Sequence, residues 1–291
     1  MRIDFPALLS CIVCIGLAAP GGARAAELRP PASVTAGTDF SIPSSGSGEG
    51  TFYLIGPAQV SKRKVDLNGS IAVQGDEIQY AGRYTAIFCG SDPCSSGHFE
   101  VRPDEASKVS LLVHPSRVRV AAPNAISAVA FVFDKYRNMI FSPQNVTFKV
   151  TPREGAEISA TRPAENGVAW IRLTSATKEG PAKIGASVGK AMELRVVQQV
   201  ASEACNLRIT ASWVSRQLWV ATDPVRDCSG NAVPDGTVVS FTKLDQSGKT
   251  TVDAPIKRGI ARVQMPVQGN ARISVASGVV TGNELQLGGA R

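Results

Sequence analysis

The stretch that decides the fold occurs twice, as Asp134-Lys-Tyr-Arg-Asn138 with Val146-Thr-Phe148, and again as Asp227-Cys-Ser-Gly-Asn231 with Val239-Ser-Phe241. The offsets between these residues are the same in both copies. Each copy then runs through a Gly-hydrophobic-Ala start into an alternating segment, beginning at Gly167 in the first copy and at Gly259 in the second. A spacing that short strands share is typical of a duplicated β module. The sequence therefore predicts a β module repeated along the chain.

Hydrophobic residues occupy every second position within the strands predicted for both copies. The predicted inward-facing residues are Val109, Leu111, Val113, Ala128, Ala130, Val132, Val146, Phe148, Val150, Ala169, Ile171 and Leu173 in the first copy, and Leu207, Ile209, Val239, Phe241, Ala261, Val263, Met265, Ile273 and Val275 in the second. A period of two over short segments separated by Pro and Gly predicts half-buried antiparallel strands. Several such strands in each copy, with no long segment of helical spacing, predict an all-β chain of two-sheet sandwiches.

Turn-rich breaks divide the 291 residues into a leader and three modules. We predict a leader at 1–26, module 1 at 27–103, module 2 at 107–197 and module 3 at 204–288. The linkers between them are short, so neighbouring modules are expected to be held semi-rigidly. Inside module 1, the Ser- and Gly-rich stretch Ser44–Gly50 is predicted to be a flexible loop.

The leader has the three-part plan of a secretory signal peptide. Arg2 provides the basic start, an apolar run from Ala7 to Ala19 follows, and Ala23-Arg24-Ala25-Ala26 supplies a small-x-small cleavage site. The apolar run is shorter than the ~20 residues that a spanning helix needs, and nothing later in the chain is apolar enough to span a bilayer. We therefore expect an exported protein with no membrane span, in the periplasm or outside the cell.

Four cysteines remain after the leader, in two local pairs: Cys89 with Cys94, and Cys205 with Cys228. An even number in local pairs is typical of an oxidising compartment. Zinc is the competing interpretation, but neither spacing matches the Cys-x-x-Cys pattern of zinc sites. We predict two disulfide bonds and no free thiol in the mature protein.

The charge of the chain is modest and evenly spread. Removal of the leader leaves 29 basic and 23 acidic residues, a net charge of +6. Such an excess favours loose association with anionic lipid or polysaccharide, but it is not the pattern of a nucleic-acid-binding protein. The densest basic run, Lys62-Arg63-Lys64, is interpreted as a solvated strand edge guarded by lysines.

At family level, Asp134–Asn138, Val146–Phe148 and Asn166–Thr174 resemble the bacterial Ig-like domain of the invasin and intimin family, and Asp227–Phe241 is similar. These motifs mark turns and strands and carry no chemistry. The resemblance implies tandem Ig-like β-sandwiches in modules 2 and 3. Module 1 resembles an Ig-type sandwich more distantly, through a tyrosine-corner segment in which the Tyr84 hydroxyl is expected to hydrogen-bond to backbone.

The resemblance also bears on the second cysteine pair. In an Ig-like module 3, Cys205 begins the first strand and Cys228 follows the second strand, so both lie at the same pole of the sandwich. A disulfide closing this loop is expected to stabilise module 3 by about 3 kcal/mol, and the shorter Cys89–Cys94 loop by about 2 kcal/mol. Module 2 has no crosslink and is predicted to open first on heating.

The sequence contains no catalytic constellation. Its two histidines, His98 and His114, fall in different modules, and no Gly-x-Ser-x-Gly motif accompanies them. Both are interpreted as surface histidines. Acidic residues are scattered through the loops without a setting that marks a pair for glycoside hydrolysis. We predict a non-enzyme with no catalytic residue and no cofactor.

The repeated acidic turn has two interpretations. Asp134 with Asn138, and Asp227 with Asn231, offer oxygen ligands of the kind that calcium prefers. Each turn supplies only two such side chains, whereas calcium takes six or more ligands. Asx-type turns explain both pairs, so we predict turns and no metal site.

Trp170 is the one candidate contact residue. Alternation points its neighbours inward, so its indole is expected to face outward, where module 3 has Arg262. An outward Trp is either a partner or glycan contact, or it packs under a neighbouring module. These two interpretations stay open from the sequence.

These features predict an exported, non-enzymatic protein of tandem Ig-like modules that acts as an adhesive, spacer or binding surface at the cell envelope. Its partner is expected to be a protein or an envelope polysaccharide, and not a nucleic acid. The alternatives are an accessory subunit of a surface or secretion assembly and a carbohydrate-binding module.

Overall fold

The computed structural model describes residues 26–91, 93–215 and 217–288. The predicted signal peptide lies outside the described residues, apart from Ala26. Strands dominate, and the described ranges contain no α-helix, only a single 3₁₀ turn at Gly75–Ile78. No helix in the same ranges has the length and hydropathy of a membrane span. The chain forms two compact units, the first ending at Arg102 and the second beginning at Pro103.

Module 1 is a six-stranded sheet. Its strands are β1 (Glu27–Leu28), β2 (Ser33–Thr35), β3 (Phe40–Ile55), β4 (Val60–Val73), β5 (Gly82–Cys89) and β6 (Ser95–Arg102). They pair in the order β1-β3-β5-β6-β2, and β4 pairs with β3. Tyr84 is fully buried at the centre and stacks on Phe99 with ring centroids 5.5 Å apart.

The hydroxyl of Tyr84 lies near the backbone of Tyr80, four residues upstream as in a tyrosine corner, but without the geometry of a full hydrogen bond. Burial raises the pKa of Tyr84, and the nearby backbone of Tyr80 opposes only part of that rise. The ring therefore acts mainly as a core side chain.

The prediction of a flexible loop at Ser44–Gly50 is wrong, because this stretch lies inside β3. Residues 47–50 pair with β4, and Ser44 and Ser45 pair with β1. The register shifts between Pro43 and Ser47. Gly46 and Gly48 have φ of 101° and 108°, a region open mainly to glycine. The glycines thus permit a bulge within a continuous strand, where composition alone suggested a break.

Module 2 forms two sheets. Its strands are β7 (Lys108–His114), β8 (Arg117–Arg119), β9 (Ile126–Phe133), β10 (Gln144–Thr151), β11 (Ile158–Ala164), β12 (Val168–Leu173), β13 (Gly180–Val188) and β14 (Ala191–Val200). One sheet has the order β11-β10-β13-β14-β8 and the other β12-β9-β7. The inward-facing residues predicted for this module pack between the sheets, most of them fully buried.

Module 3 repeats the plan. Its strands are β15 (Ala204–Cys205), β16 (Ile209–Val214), β17 (Gln217–Thr222), β18 (Arg226–Asp227), β19 (Val238–Asp245), β20 (Gly248–Pro255), β21 (Arg262–Met265), β22 (Ala271–Ser277), β23 (Val280–Thr281) and β24 (Leu285–Leu287). The sheets are β20-β19-β22-β23 with β24 on β22, β16-β17-β21, and the pair β15-β18. All nine predicted inward residues are buried in one cluster. The alternation therefore predicted the core faces of modules 2 and 3 correctly.

Candidate functional site

The Asp134 turn shows why the repeated motif needs these residue types. One carboxylate oxygen of Asp134 accepts the N–H groups of Tyr136 and Asn138, at 2.9 and 2.8 Å. The other oxygen accepts the Asn138 side-chain amide at 2.8 Å and the backbone N–H of Asp104 at 3.0 Å. Because Asp134 is fully buried, these four donors replace the water that the carboxylate loses.

The Asp227 turn repeats this geometry at the start of module 3. Asp227 accepts the N–H groups of Ser229 and Asn231 at 2.9 and 2.8 Å, and that of Ser202 at 3.0 Å. The Asn231 side-chain amide donates to the same carboxylate at 2.9 Å. Burial raises the pKa of the Asp227 carboxyl, but the hydrogen bonds from Asn231, Ser202 and Ser229 outweigh it, so the pKa lies below its ordinary value.

Both turns have the Asx geometry that the sequence predicted. The carboxylate oxygens point at N–H donors, and a cation placed there would face the positive ends of those dipoles. No group of three or more His, Cys, Asp or Glu side chains suited to a metal occurs within the described ranges. The donor set thus favours the turn over the calcium alternative.

Asn231 has a further role that the sequence did not reveal. Its side-chain amide donates to Thr177 O at 2.8 Å, and its side-chain oxygen accepts the Glu179 N–H at 3.2 Å. Thr177 and Glu179 belong to the loop before β13 in module 2. Arg119 in module 2 also pairs with Glu203 of the linker at 2.7 Å. One turn of module 3 thereby holds the linker and the preceding module together.

Two disulfide bonds are formed, Cys89–Cys94 and Cys205–Cys228. Cys205 lies in β15, which pairs with β18, so the bond crosses between neighbouring segments at the pole of module 3 that faces the linker. Cys228 lies inside the Asp227–Asn231 turn. The crosslink therefore sits beside the hydrogen bonds that join modules 2 and 3.

The basic run of module 1 is only partly solvated. Arg63 is half-buried and ion-paired with Glu77, and its guanidinium lies 5.0 Å from the Phe52 ring centroid. Lys62 and Lys64 on either side are exposed. Since its central cation is already neutralised, this run is a weak candidate for an anion site.

Within the described residues, neither histidine belongs to a nucleophile–base–acid arrangement. His98 is exposed on β6 and its ring nitrogen lies 3.0 Å from the Thr85 hydroxyl. His114 is exposed at the end of β7. The two residues fall in different compact units.

Trp170 lines an open groove of module 2. Its side chain is 64% exposed on β12. The groove has a volume of about 560 Å³ and is lined by Arg162, Pro163, Glu165, Asn166, Val168, Trp170, Ile171 and Arg172. None of the four cysteines borders it. The groove runs between β11 and β12, which are edge strands of the two different sheets. The alternation of the sequence predicted these strands, but it did not predict that they lie side by side.

The counterpart position in module 3 holds an exposed cation that packs on an indole. Arg262 occupies it, and the Arg262 guanidinium lies 4.3 Å from the Trp219 ring centroid. A cation over an indole face is an attractive arrangement. At this position module 3 therefore pairs an outward cation with an indole, whereas module 2 leaves an indole open to solvent.

This architecture can be compared with known proteins. No family model matches the chain, and no curated protein matches it. Among solved structures, FdeC, an adhesin of Escherichia coli, is similar over 91% of this chain and 96% of its own, with 15% identity and a TM-score of 0.61. InvD of Yersinia pseudotuberculosis is similar over 90% of this chain and 97% of its own, with 11% identity and a TM-score of 0.51.

The chain has the invasin-type Ig-like fold, on the strength of its similarity to FdeC and InvD. Invasin itself, a bacterial integrin-binding protein, aligns over 90% of this chain and 59% of its own, with 15% identity and a TM-score of 0.47. At such identities the likeness to FdeC and InvD establishes the fold alone. The all-β prediction and the predicted resemblance to invasin-type Ig-like domains are confirmed.

Proposed function

We propose that this chain is an exported, non-enzymatic protein whose tandem Ig-like modules act as an adhesive, spacer or binding surface at the bacterial cell envelope. The observation that carries the proposal is the exposed Trp170 in an open groove between two edge strands. Large exposed aromatic side chains are common anchors of protein interfaces. The fold that the chain shares with the adhesin FdeC supports the same role.

The spacer role rests on the division into modules at 27–103, 107–197 and 204–288. Two hydrogen bonds, from the Asn231 amide to Thr177 O and from the Glu179 N–H to the Asn231 side-chain oxygen, support a fixed junction between modules 2 and 3. A junction that resists bending transmits a binding surface to a defined distance, which a flexible linker does not. The two disulfides support function in an oxidising compartment, the periplasm or the cell exterior.

The partner proposed for Trp170 is a protein, and an envelope polysaccharide is the second candidate. The specific observation for the second is the pair of arginines, Arg162 and Arg172, beside the indole in the groove. An apolar ring flanked by cations suits an acidic sugar as well as an acidic side chain.

Binding is tested with the mature protein and envelope extracts of the producing cell. Trp170→Ala is expected to weaken retention on the partner by on the order of 30-fold, the effect typical of an aromatic interface anchor. The matched control is Trp213→Ala in module 3, whose side chain is 46% exposed and lies outside the groove. Equal retention of wild type and Trp170→Ala would show that Trp170 is not the contact.

The envelope location is tested separately by fractionation. The protein is expected in the periplasmic or external fraction, with both disulfides oxidised and no thiol that alkylates before reduction. A stable stoichiometric complex after crosslinking would instead favour an accessory subunit. Recovery of reduced protein in the cytoplasm would contradict the proposal.

A further inference from the structure

The strand that carries Trp170 has one open edge. In an antiparallel pair, alternate residues direct both their N–H and C=O toward the partner strand. Gly167 O accepts a hydrogen bond from Val132 N of β9. By alternation, the backbone N–H and C=O groups of Ala169, Ile171 and Leu173 point toward β9, while those of Trp170 and Arg172 point away from it. Within the described ranges β12 pairs with β9 alone. The backbone groups of Trp170 and Arg172 are therefore directed into the groove without a strand to bond.

On the opposite side of the groove, β11 is less able to pair with an added strand. Asn166 and Gly167, with φ of 51° and 80°, form a tight turn in which Glu165 and Val168 exchange hydrogen bonds of 2.9 and 3.1 Å. Beyond that bridge β11 and β12 separate into different sheets. Pro163 has no N–H, and in a paired strand its nitrogen must face the free side. Because of Pro163, the free edge of β11 lacks one N–H donor for an added strand, whereas β12 has no proline and keeps all its donors.

The charge of the groove selects among occupants. Arg162 and Arg172 line it, and neither forms an ion pair in the part of the chain that the structure describes. Glu165 is the single acidic residue in the lining. Two uncompensated cations beside one carboxylate favour an anionic ligand.

We infer that β12 accepts an extended acidic segment of a partner protein as an added strand, with the Trp170 indole covering it. The inference rests on the proposed function and deepens it. Successive edge groups of one strand repeat about every 7 Å, two residues apart, which is the spacing of donors and acceptors on another strand. Main-chain bonding gives affinity in this mode and the flanking side chains give selectivity. A polysaccharide could contact the indole and the arginines, but it has no backbone amides at a spacing that matches the free N–H and C=O groups of β12.

The probe is a short synthetic peptide that alternates Glu and Val, tested on the full mature protein. It is expected to bind, and to slow amide hydrogen exchange at Trp170 and Arg172. A version with Lys in place of Glu is expected not to bind. Methylation of the peptide nitrogens that would pair with β12 is expected to weaken binding about tenfold or more, because two hydrogen bonds are removed without a change of charge.

Protein variants separate the backbone from the side chain. Arg172→Ala removes the charge and keeps the edge N–H, whereas Arg172→Pro removes both, so Arg172→Pro is expected to bind about tenfold more weakly than Arg172→Ala. The matched control is Gln264→Pro on β21, where Thr222 N bonds to Ala261 O and places Gln264 on the free edge. That control is expected to bind like wild type. The methylated peptide keeps the test valid if a proline variant fails to fold.

The outcomes distinguish this inference from the proposed function. Strand addition is wrong if methylation leaves peptide affinity unchanged, if the Trp170 and Arg172 amides stay unprotected, or if polygalacturonate protects them as well as the acidic peptide does. Loss of natural partner binding in Trp170→Ala together with any of these results would leave the contact surface standing and reject only the added strand. Equal natural partner binding in Trp170→Ala would instead show that Trp170 is not the contact, which removes the observation that carries the proposed function.

Discussion

Modules 2 and 3 are built on the same repeated template and differ in what they do with it. Module 3 carries the Cys205–Cys228 bond and buries Lys243, whose ammonium lies 2.7 Å from the Asp245 carboxylate and 2.9 Å from Pro266 O. Module 2 has Val150 at the position of Lys243 and no disulfide. The Cys205–Cys228 bond and the Lys243–Asp245 ion pair lie in different parts of module 3, so two separate interactions stabilise its sandwich.

The two modules also differ on their outer surfaces. Arg262 covers Trp219 in module 3, while the corresponding surface of module 2 exposes Trp170. The two modules therefore place different side chains at the same position of one template. At this position module 3 pairs Arg262 with Trp219, and its Asp227 turn holds the junction, whereas module 2 exposes an indole there, with two arginines beside it.

The largest expected effect comes from removing the crosslink. The double variant Cys205→Ser/Cys228→Ser is expected to lose about 3 kcal/mol of the free energy of unfolding of module 3, since the bond spans 23 residues of sequence. In the wild type, module 2 is expected to open first on heating; in the variant, module 3 is expected to open with it or earlier. Hydrogen-exchange mass spectrometry of peptides from β10 and β19 reports the order. If the order in which the two modules open is unchanged, the crosslink does not account for the difference in stability between modules 2 and 3.

The next effect concerns the junction. Asn231→Ala is expected to lose about 1–3 kcal/mol, because it removes the side-chain partner of the Thr177 carbonyl and of the Glu179 N–H, and one of the donors to the Asp227 carboxylate. NMR relaxation is expected to show modules 2 and 3 tumbling more independently. The exposed Asn145→Ala serves as the control and should stay within about 0.5 kcal/mol of wild type.

Acid should act on module 3 through the same turn. The pKa of Asp227 is depressed below its ordinary value of 3.8, so its stabilising hydrogen bonds are fully present above that pH and are lost as the pH falls through the depressed value. Denaturant midpoints measured from neutral pH downward are expected to fall more steeply for wild type than for Asp227→Asn. Parallel slopes would show that Asp227 contributes no pH dependence.

The smallest effect on stability is expected at the proposed contact. Trp170→Ala should change the free energy of unfolding by no more than about 0.5 kcal/mol, because the side chain is 64% exposed. Trp219→Ala in module 3 should lose about 1 kcal/mol or more, since it removes the indole beneath Arg262. Chemical denaturation of both variants checks this difference. A large loss in Trp170→Ala would make the indole a structural residue and weaken the proposed function.

Much of the fold could be predicted because its determinants are local. Alternation assigned the buried positions of both repeated modules, and the Asp-to-Asn offset predicted the Asx turns at Asp134 and Asp227. The stretch Ser44–Gly50 was mispredicted because composition describes the flexibility of an isolated segment. It does not describe the strands that pair with that segment on both sides.

The sequence by itself determined the period of the strands, the repeated turns and the outward direction of Trp170, since each depends on neighbours within a few residues. Only the tertiary structure decided that Asn231 bonds to the Thr177–Glu179 loop, more than fifty residues earlier in the chain. It also decided that a blunted edge and an open edge enclose the same groove. The physical reason is that such contacts form where sheets meet, and the position of an edge depends on the packing of the whole sandwich.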